Sequence, residues 1–265
     1  MNKLRLYTCI IFTGIFICAG SAVHLAAAPG DAGTGIMTWY SWWNPVWQNY
    51  TKYEEEVKFE LDPGFITGPV VSYQLDAVTS ISAVFLYWKY DTVDTLTIGS
   101  ADYEFQRDVH KTESDILVNK QVNSWLKWFF GMKYQGYFYS ETETFKSGAV
   151  ELPIKRDVSF HNLGPGCGVG TTTFVYNNLY FLNNVSLITL FGYERTEKVE
   201  FTYSLGGNVT TSMAYILPYN ITMILGARFQ HLQYLYHGND RYASGNNWKR
   251  YDQLYGVTLT VMGSF

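Results

Sequence analysis

Apolar side chains recur at every second position over successive stretches of the chain, a period that strands follow and helices do not. The clearest case is the C-terminal run Tyr255-Gly256-Val257-Thr258-Leu259-Thr260-Val261-Met262-Gly263-Ser264-Phe265, with large apolar residues mostly at odd positions. The same alternation predicts strands at 66–75, 80–91, 105–118, 125–140, 158–176, 184–196, 200–214, 221–236 and 250–264. A further strand is expected at 50–61, where Val57, Phe59 and Leu61 alternate with Lys58 and Glu60. Turn-forming residues fall between these stretches. Asn119 to Ser124, Asn177-Asn178, Asn183-Asn184 and Leu217-Pro218-Tyr219-Asn220 predict short turns, whereas 92–104, 141–157 and 237–249 predict longer polar loops.

The N-terminus breaks the pattern. Lys3 and Arg5 precede an apolar stretch centred on Ile10, Ile11, Phe12, Ile15, Phe16 and Ile17, followed by Gly20-Ser21-Ala22 and Ala26-Ala27-Ala28. A positive start, an apolar core too short to span a bilayer and small residues after it describe an export signal. Ile17 is too bulky before Cys18 for a lipoprotein motif. The expected organisation is a signal peptide over 1–28, a lead-in over 29–49 rich in tryptophan (Trp39, Trp42, Trp43, Trp47), and a strand-built body over 50–265.

Composition decides what the strands are for. The chain is 47% hydrophobic and 18% aromatic, with 22 Tyr, 17 Phe and 8 Trp, yet no second apolar run is long enough for a membrane helix. Aromatics that alternate with polar residues suit a sheet with one face in lipid and the other turned inward. The net charge of −4 gives no basic footprint for nucleic acid. Only Cys167 follows the signal, so no internal disulfide is expected.

The run ending in Phe265 resembles the C-terminal strand of bacterial outer-membrane barrels, which ends in an aromatic. It departs from that pattern at Gly263, where such strands carry an aromatic, and at Leu254, where a polar residue is usual. The resemblance implies an all-β, transmembrane antiparallel up-and-down β-barrel. Such a barrel has an even strand number, here about ten with eight or twelve as alternatives. It also implies a location in the bacterial outer membrane after signal cleavage. The implied partners are outer-membrane lipid and the barrel-assembly machinery, for which Phe265 is the assembly signal.

Facing follows from cost, because a cation turned to lipid at mid-depth costs about 2–4 kcal/mol. Lys133 and Arg228 are therefore expected to point inward, with Gln135 and Gln230 on the same parity. Trp128, Phe130, Met132, Tyr134, Met223, Leu225, Ala227 and Phe229 are then turned outward. The same rule turns Arg107, Lys111, Glu113 and Asp115 inward, and Asp252 with them. These residues are the candidate lining of any pore. Opposite charges in a narrow interior are expected to pair, so a plugged interior is the default and a narrow channel for ions or small solutes the alternative. Gly164, Gly166, Gly168 and Gly170 share the inward parity, which leaves either a cavity or a sharply bent strand.

No catalytic motif is present. Ser159 with His161, Asp91 with Asp94, and His237 with Asp240 are loose pairings only, and His110, His161 and Cys167 are too dispersed for a metal site. The expected function is structural or porin-like, without cofactor or metal. A hydrolase with a site at the barrel rim, and adhesion through the outer loops, remain the alternatives.

Overall fold

The computed structural model describes residues 29–47, 57–58, 62–98, 101–147, 150–195, 199–237 and 249–265. The expected signal peptide, the Glu54-Glu55-Glu56 run and the loop containing Asp240 lie outside them. Strands dominate: β1 (Ala32–Trp47), β2 (Val57–Lys58), β3 (Gly64–Gln74), β4 (Thr79–Ile98), β5 (Ala101–Gln121) and β6 (Leu126–Ser147). They continue as β7 (Val150–Tyr176), β8 (Leu179–Arg195), β9 (Val199–Leu217), β10 (Ile221–His237) and β11 (Lys249–Ser264). Each long strand pairs antiparallel with its sequence neighbours, and β1 pairs with β11, so ten strands close into a barrel. The two-residue β2 adds to the upper end of β1 beside β3. Closure reaches the last residue, since the backbones of Ala32 and Phe265 exchange two hydrogen bonds of 2.9 Å. A closed sheet leaves no edge whose backbone groups would be stranded in hydrocarbon.

The first strand differs from expectation. It is Ala32–Trp47, the tryptophan-rich segment read as a lead-in, and not 50–61. Alternation failed there because both faces carry rings: Trp39 and Trp43 are buried inside, whereas Trp42 is exposed outside and Tyr40 packs against it. Val57 and Lys58, part of the expected strand, instead continue the line of β3.

The four connections described at the end bearing the chain termini are short. Asp76 and Asn123 organise two of them identically. The Asp76 carboxylate accepts from the Val78 and Thr79 amides at 2.8 and 2.9 Å, and the Asn123 carbonyl from Trp125 and Leu126 at 3.0 and 2.9 Å. These side chains satisfy amides that the ladder leaves free. Asn177 turns the β7–β8 hairpin with φ 48°, a left-handed conformation that asparagine tolerates. Tyr219 and Asn220 turn the next with φ 65° and 57°. Asn183-Asn184 forms no turn, since both residues lie inside β8.

At the opposite end two of the three expected loops, 92–104 and 141–157, are largely strand, and 238–248 lies outside the described residues. β4 and β5 stay paired as far as Ile98 and Ala101, and β6 and β7 as far as Ser147 and Val150. Polar residues on both faces gave 92–104 and 141–157 the look of loops. A sheet that has risen out of the bilayer no longer needs an apolar outer face, so its alternation disappears while its pairing persists.

The outer wall carries the lipid belt. Ile36, Phe85, Ile116, Phe130, Met132, Leu163, Val185, Leu187, Leu225, Phe229, Val257 and Leu259 are all exposed there. Tyr73, Trp125, Tyr176, Tyr219 and Phe265 rim it at the end with the termini, and Trp42, Tyr87, Tyr193 and Tyr255 at the other. From Tyr255 to Phe265 the tilted strand rises about 25 Å, the height of an apolar band between aromatic girdles.

Candidate functional site in the barrel interior

Inward positions on β5, β6, β10 and β11 bring the charged residues of the sequence together. Lys111, Glu113 and Asp115 come from β5, Lys133 and Gln135 from β6, Arg228 and Gln230 from β10, and Asp252 from β11. Glu113 is the hub. Its carboxylate receives Lys111 at 3.1 Å and Lys133 at 3.1 Å, with the Arg228 guanidinium at 3.6 Å. Lys133 also reaches Asp115 at 3.1 Å, and Arg228 stands 3.9 Å from it. Asp252 lies 3.8 Å from Lys111 and accepts hydrogen bonds from the Trp43 indole and the Tyr137 hydroxyl. Three cations thus meet three carboxylates, and the layer is neutral.

Amides and rings complete it. Gln230 donates to Glu113 at 3.3 Å and accepts from Arg228 at 3.0 Å. Gln135 donates to Asp252 at 3.3 Å and accepts from the Tyr234 hydroxyl at 2.9 Å. The Lys111 ammonium lies 4.8 Å from the ring centres of Trp88 and Tyr137 and 5.2 Å from that of Trp43. Arg228 lies 4.6 Å from that of Trp39. Ring faces attract cations that have lost their water. A buried charge is tolerated only when paired and hydrogen-bonded. Every charge here is paired, and all but the Lys111 ammonium, which has its carboxylates and three rings instead, also make a hydrogen bond.

Above this layer the interior is mainly apolar, with Ser41, Asn162, Thr202 and Ser204 as buried polar members. Trp39, Trp43, Ile66, Leu86, Trp88, Tyr90, Tyr137, Phe160, Ile188, Leu190, Leu232, Tyr234 and Leu254 form one buried cluster. Below it the wall is mixed: Ser82, Asn119, Asn184, Ser186, Thr210, Ser212, Thr258 and Thr260 lie on inward positions, together with the buried Val70, Phe129 and Tyr180. Exposure reports which side water reaches. The side chains of Lys111 and Asp252 are 0% exposed and Glu113 1%, whereas Asp115, nearest the end with the termini, is 21% exposed.

Eight of the nine pore-lining candidates therefore lie in one connected layer. The ninth, Arg107, pairs through its backbone with Thr92 and Glu141, and its side chain lies outside the described residues. Three of the four inward glycines of β7 are covered, and Gly166 keeps only ordinary contacts with Leu187 and Ile188. Phe129 lies over Gly168 and Lys127 over Gly170, and a side chain at Gly164 would meet the Thr189 carbonyl. The sequence reading missed the aromatic half of the interior. Tyr137 shares the parity of Lys133 and Gln135, and Tyr234 that of Arg228 and Gln230, so parity alone locates both.

The histidines face outward at the upper girdle. His110 accepts from or donates to the Tyr87 hydroxyl at 2.6 Å and stands 3.1 Å from Asp108, which holds Lys89 at 2.9 Å. His161 pairs with the Tyr134 hydroxyl at 2.9 Å and packs between Phe138 and Tyr193. Ser159 and His161 share the outer face of β7, and no hydrogen bond joins them. The Asp91, Asp94 and His237 side chains lie outside the described residues.

A closed antiparallel barrel with an apolar belt and paired aromatic girdles defines the class: this is an outer-membrane β-barrel. Comparison with solved structures agrees. The outer membrane protease OmpT from Escherichia coli superposes with a TM-score of 0.58 at 11% identity, covering 92% of this chain and 100% of that one. The Pseudomonas putida toluene transporter TodX gives 0.38 at 8% identity, with 89% and 90% covered. The translocator domain of autotransporter NalP from Neisseria meningitidis gives 0.37 at 9%, with 97% and 96% covered. At 11% identity the likeness to the protease is one of fold alone. No protein-family model matches the chain, and no curated protein matches it.

Proposed function

We propose that this protein is a closed barrel of the bacterial outer membrane, exported by a cleaved signal peptide, which holds its place structurally and conducts no solute. The observation that carries the reading is the neutral layer of Lys111, Glu113, Asp115, Lys133, Arg228 and Asp252, covered by the aromatic cluster around Trp43, Tyr137 and Tyr234. A ten-stranded barrel has an interior that side chains can fill. Opening a path through this one would separate ion pairs in a region of low dielectric, which costs several kcal/mol per charge. The reading assigns no catalysis to the chain; among the described residues the inward carboxylates of Glu113, Asp115 and Asp252 are each paired with a cation. Its partners are the lipids of the outer membrane and the machinery that assembles barrels there. Proteoliposomes carrying the refolded mature chain test the reading through osmotic swelling. Swelling in small sugars at the rate of empty vesicles agrees with it, and rapid swelling overturns it.

A further inference from the structure

Seven charged side chains of the described residues point into the barrel, and six of them form the neutral layer. The seventh is Lys127. It follows the first residue of β6, near the end with the chain termini, and no carboxylate stands within ion-pair distance of it. Among the described residues the Phe129 ring, 6.0 Å from the ammonium, is the group that faces this cation, and a ring at that distance offsets only part of the cost of a part-buried charge.

The strand register shows what stands beside it. Lys127 pairs with Gly170, Gly170 with Asn184, Asn184 with Thr210, and Thr210 with Arg228. These residues form one row across five neighbouring strands, all on the inner wall. The absence of a side chain at Gly170 lets Lys127 lean across: its Cε lies 2.6 Å from where a Cβ would stand, and the Asn184 carbonyl crowds the same point. At the far end Arg228 spends its donors on Asn208 at 3.0 Å and on Gln230. Between the two cations, the Asn184 amide and the Thr210 hydroxyl make no hydrogen bond within the described protein, nor does the Lys127 ammonium. All three are only part-buried. Asp115, the most exposed member of the charge layer, shows that water reaches this half of the interior.

We infer that Lys127, Asn184 and Thr210 form an anion site in the half of the lumen beneath the charge layer, suited to a small phosphate or carboxylate. The ammonium and the Thr210 hydroxyl offer donors to such a group, and the ammonium makes its bonds charge-assisted. The Asn184 amide, whose carbonyl faces Lys127, supplies a third donor by turning over its side-chain amide. The bound anion supplies the negative charge that the described part of the interior lacks. The site goes beyond the closed-barrel reading and does not depend on it, because it needs only access from one side.

Isothermal titration of the refolded barrel in zwitterionic detergent tests it, with inorganic phosphate as the probe and sodium chloride at matched ionic strength as the reference. Saturable phosphate binding is expected, weakened at least about tenfold by Lys127→Met and several-fold by Asn184→Leu. Lys120→Met, on an exposed lysine at the same end, is expected to leave the binding unchanged. Heat-modifiable migration on gels verifies that each variant has folded. Absence of saturable binding in the folded parent overturns the site, as does equal binding by folded Lys127→Met. Neither result bears on whether the barrel conducts.

Discussion

Glu113→Gln removes the one carboxylate that three cations share. In the folded barrel its oxygens lie 3.1 Å from Lys111, 3.1 Å from Lys133 and 3.6 Å from Arg228, with 1% of the side chain exposed. The amide keeps the shape and loses the charge, leaving three cations against Asp115 and Asp252. Removing one partner from a buried ion pair costs about 3–5 kcal/mol, because the partner's charge stays buried without its counter-charge. At a urea dependence of about 2 kcal/mol/M, the midpoint should fall by roughly 2 M. Unfolding from lipid vesicles, followed by tryptophan fluorescence, reads this directly, since Trp43 and Trp88 border the layer. Adding Lys111→Met restores neutrality, with Lys133 and Arg228 facing Asp115 and Asp252. The double variant should therefore recover at least about 1–2 kcal/mol relative to the sum of the single changes. A loss below about 1 kcal/mol for Glu113→Gln, or strict additivity of the pair, would refute the picture of a desolvated, mutually dependent layer.

Leu225→Arg sets a cation on the outer wall opposite Leu259, in the middle of the belt. It should cost about 2–4 kcal/mol and lower the yield of heat-modifiable barrel; an unchanged yield would contradict the facing. Gly164→Ala drives a methyl into the rigid Thr189 carbonyl, whereas Gly170→Ala meets only the movable ends of Asn184 and Lys127. The first should cost about 1–3 kcal/mol and the second less, and equal urea midpoints would show that β7 shifts to admit both. The Asp76 carboxyl is held below its ordinary pKa of 3.8, chiefly by the Val78 amide, and its contribution to the turn is therefore present above that value. It is lost as pH falls through the lower folded-state value. Amide exchange at Val78 and Thr79 should accelerate only in strong acid, and acceleration already near pH 5 would disprove the depressed pKa.

The barrel itself was legible because lipid imposes a simple rule on one face. From β3 to β11 the outer positions must be apolar inside the belt, and alternation located the strand in every case. It failed where the inner face was also apolar, as at Trp39, Trp42 and Trp43, and where the outer face had left the membrane, as in 92–98 and 141–147. Asn183-Asn184 misled for a related reason. Two asparagines read as a turn, but Asn183 is a bridging residue in the sheet, accepting from Thr211 at 3.0 Å. Parity turned the charged residues to the inner face, and the cost of isolated charge foretold their pairing. The choice of partners was not legible, since Glu113 meets Arg228 across the lumen and no local pattern reports that distance. Nor could spacing reveal that Asp252 accepts from Trp43 and Tyr137.

Single-channel recording in a planar bilayer tests the closed interior most directly, using refolded mature chain whose insertion is verified independently by heat-modifiability and protease protection. The account predicts no steady conductance above the bare membrane, and the appearance of brief openings once Glu113→Gln has unbalanced the charge layer. A stable open level in the unaltered protein, changed in size by substitution of Arg228, would contradict it and make the buried layer the wall of a pore.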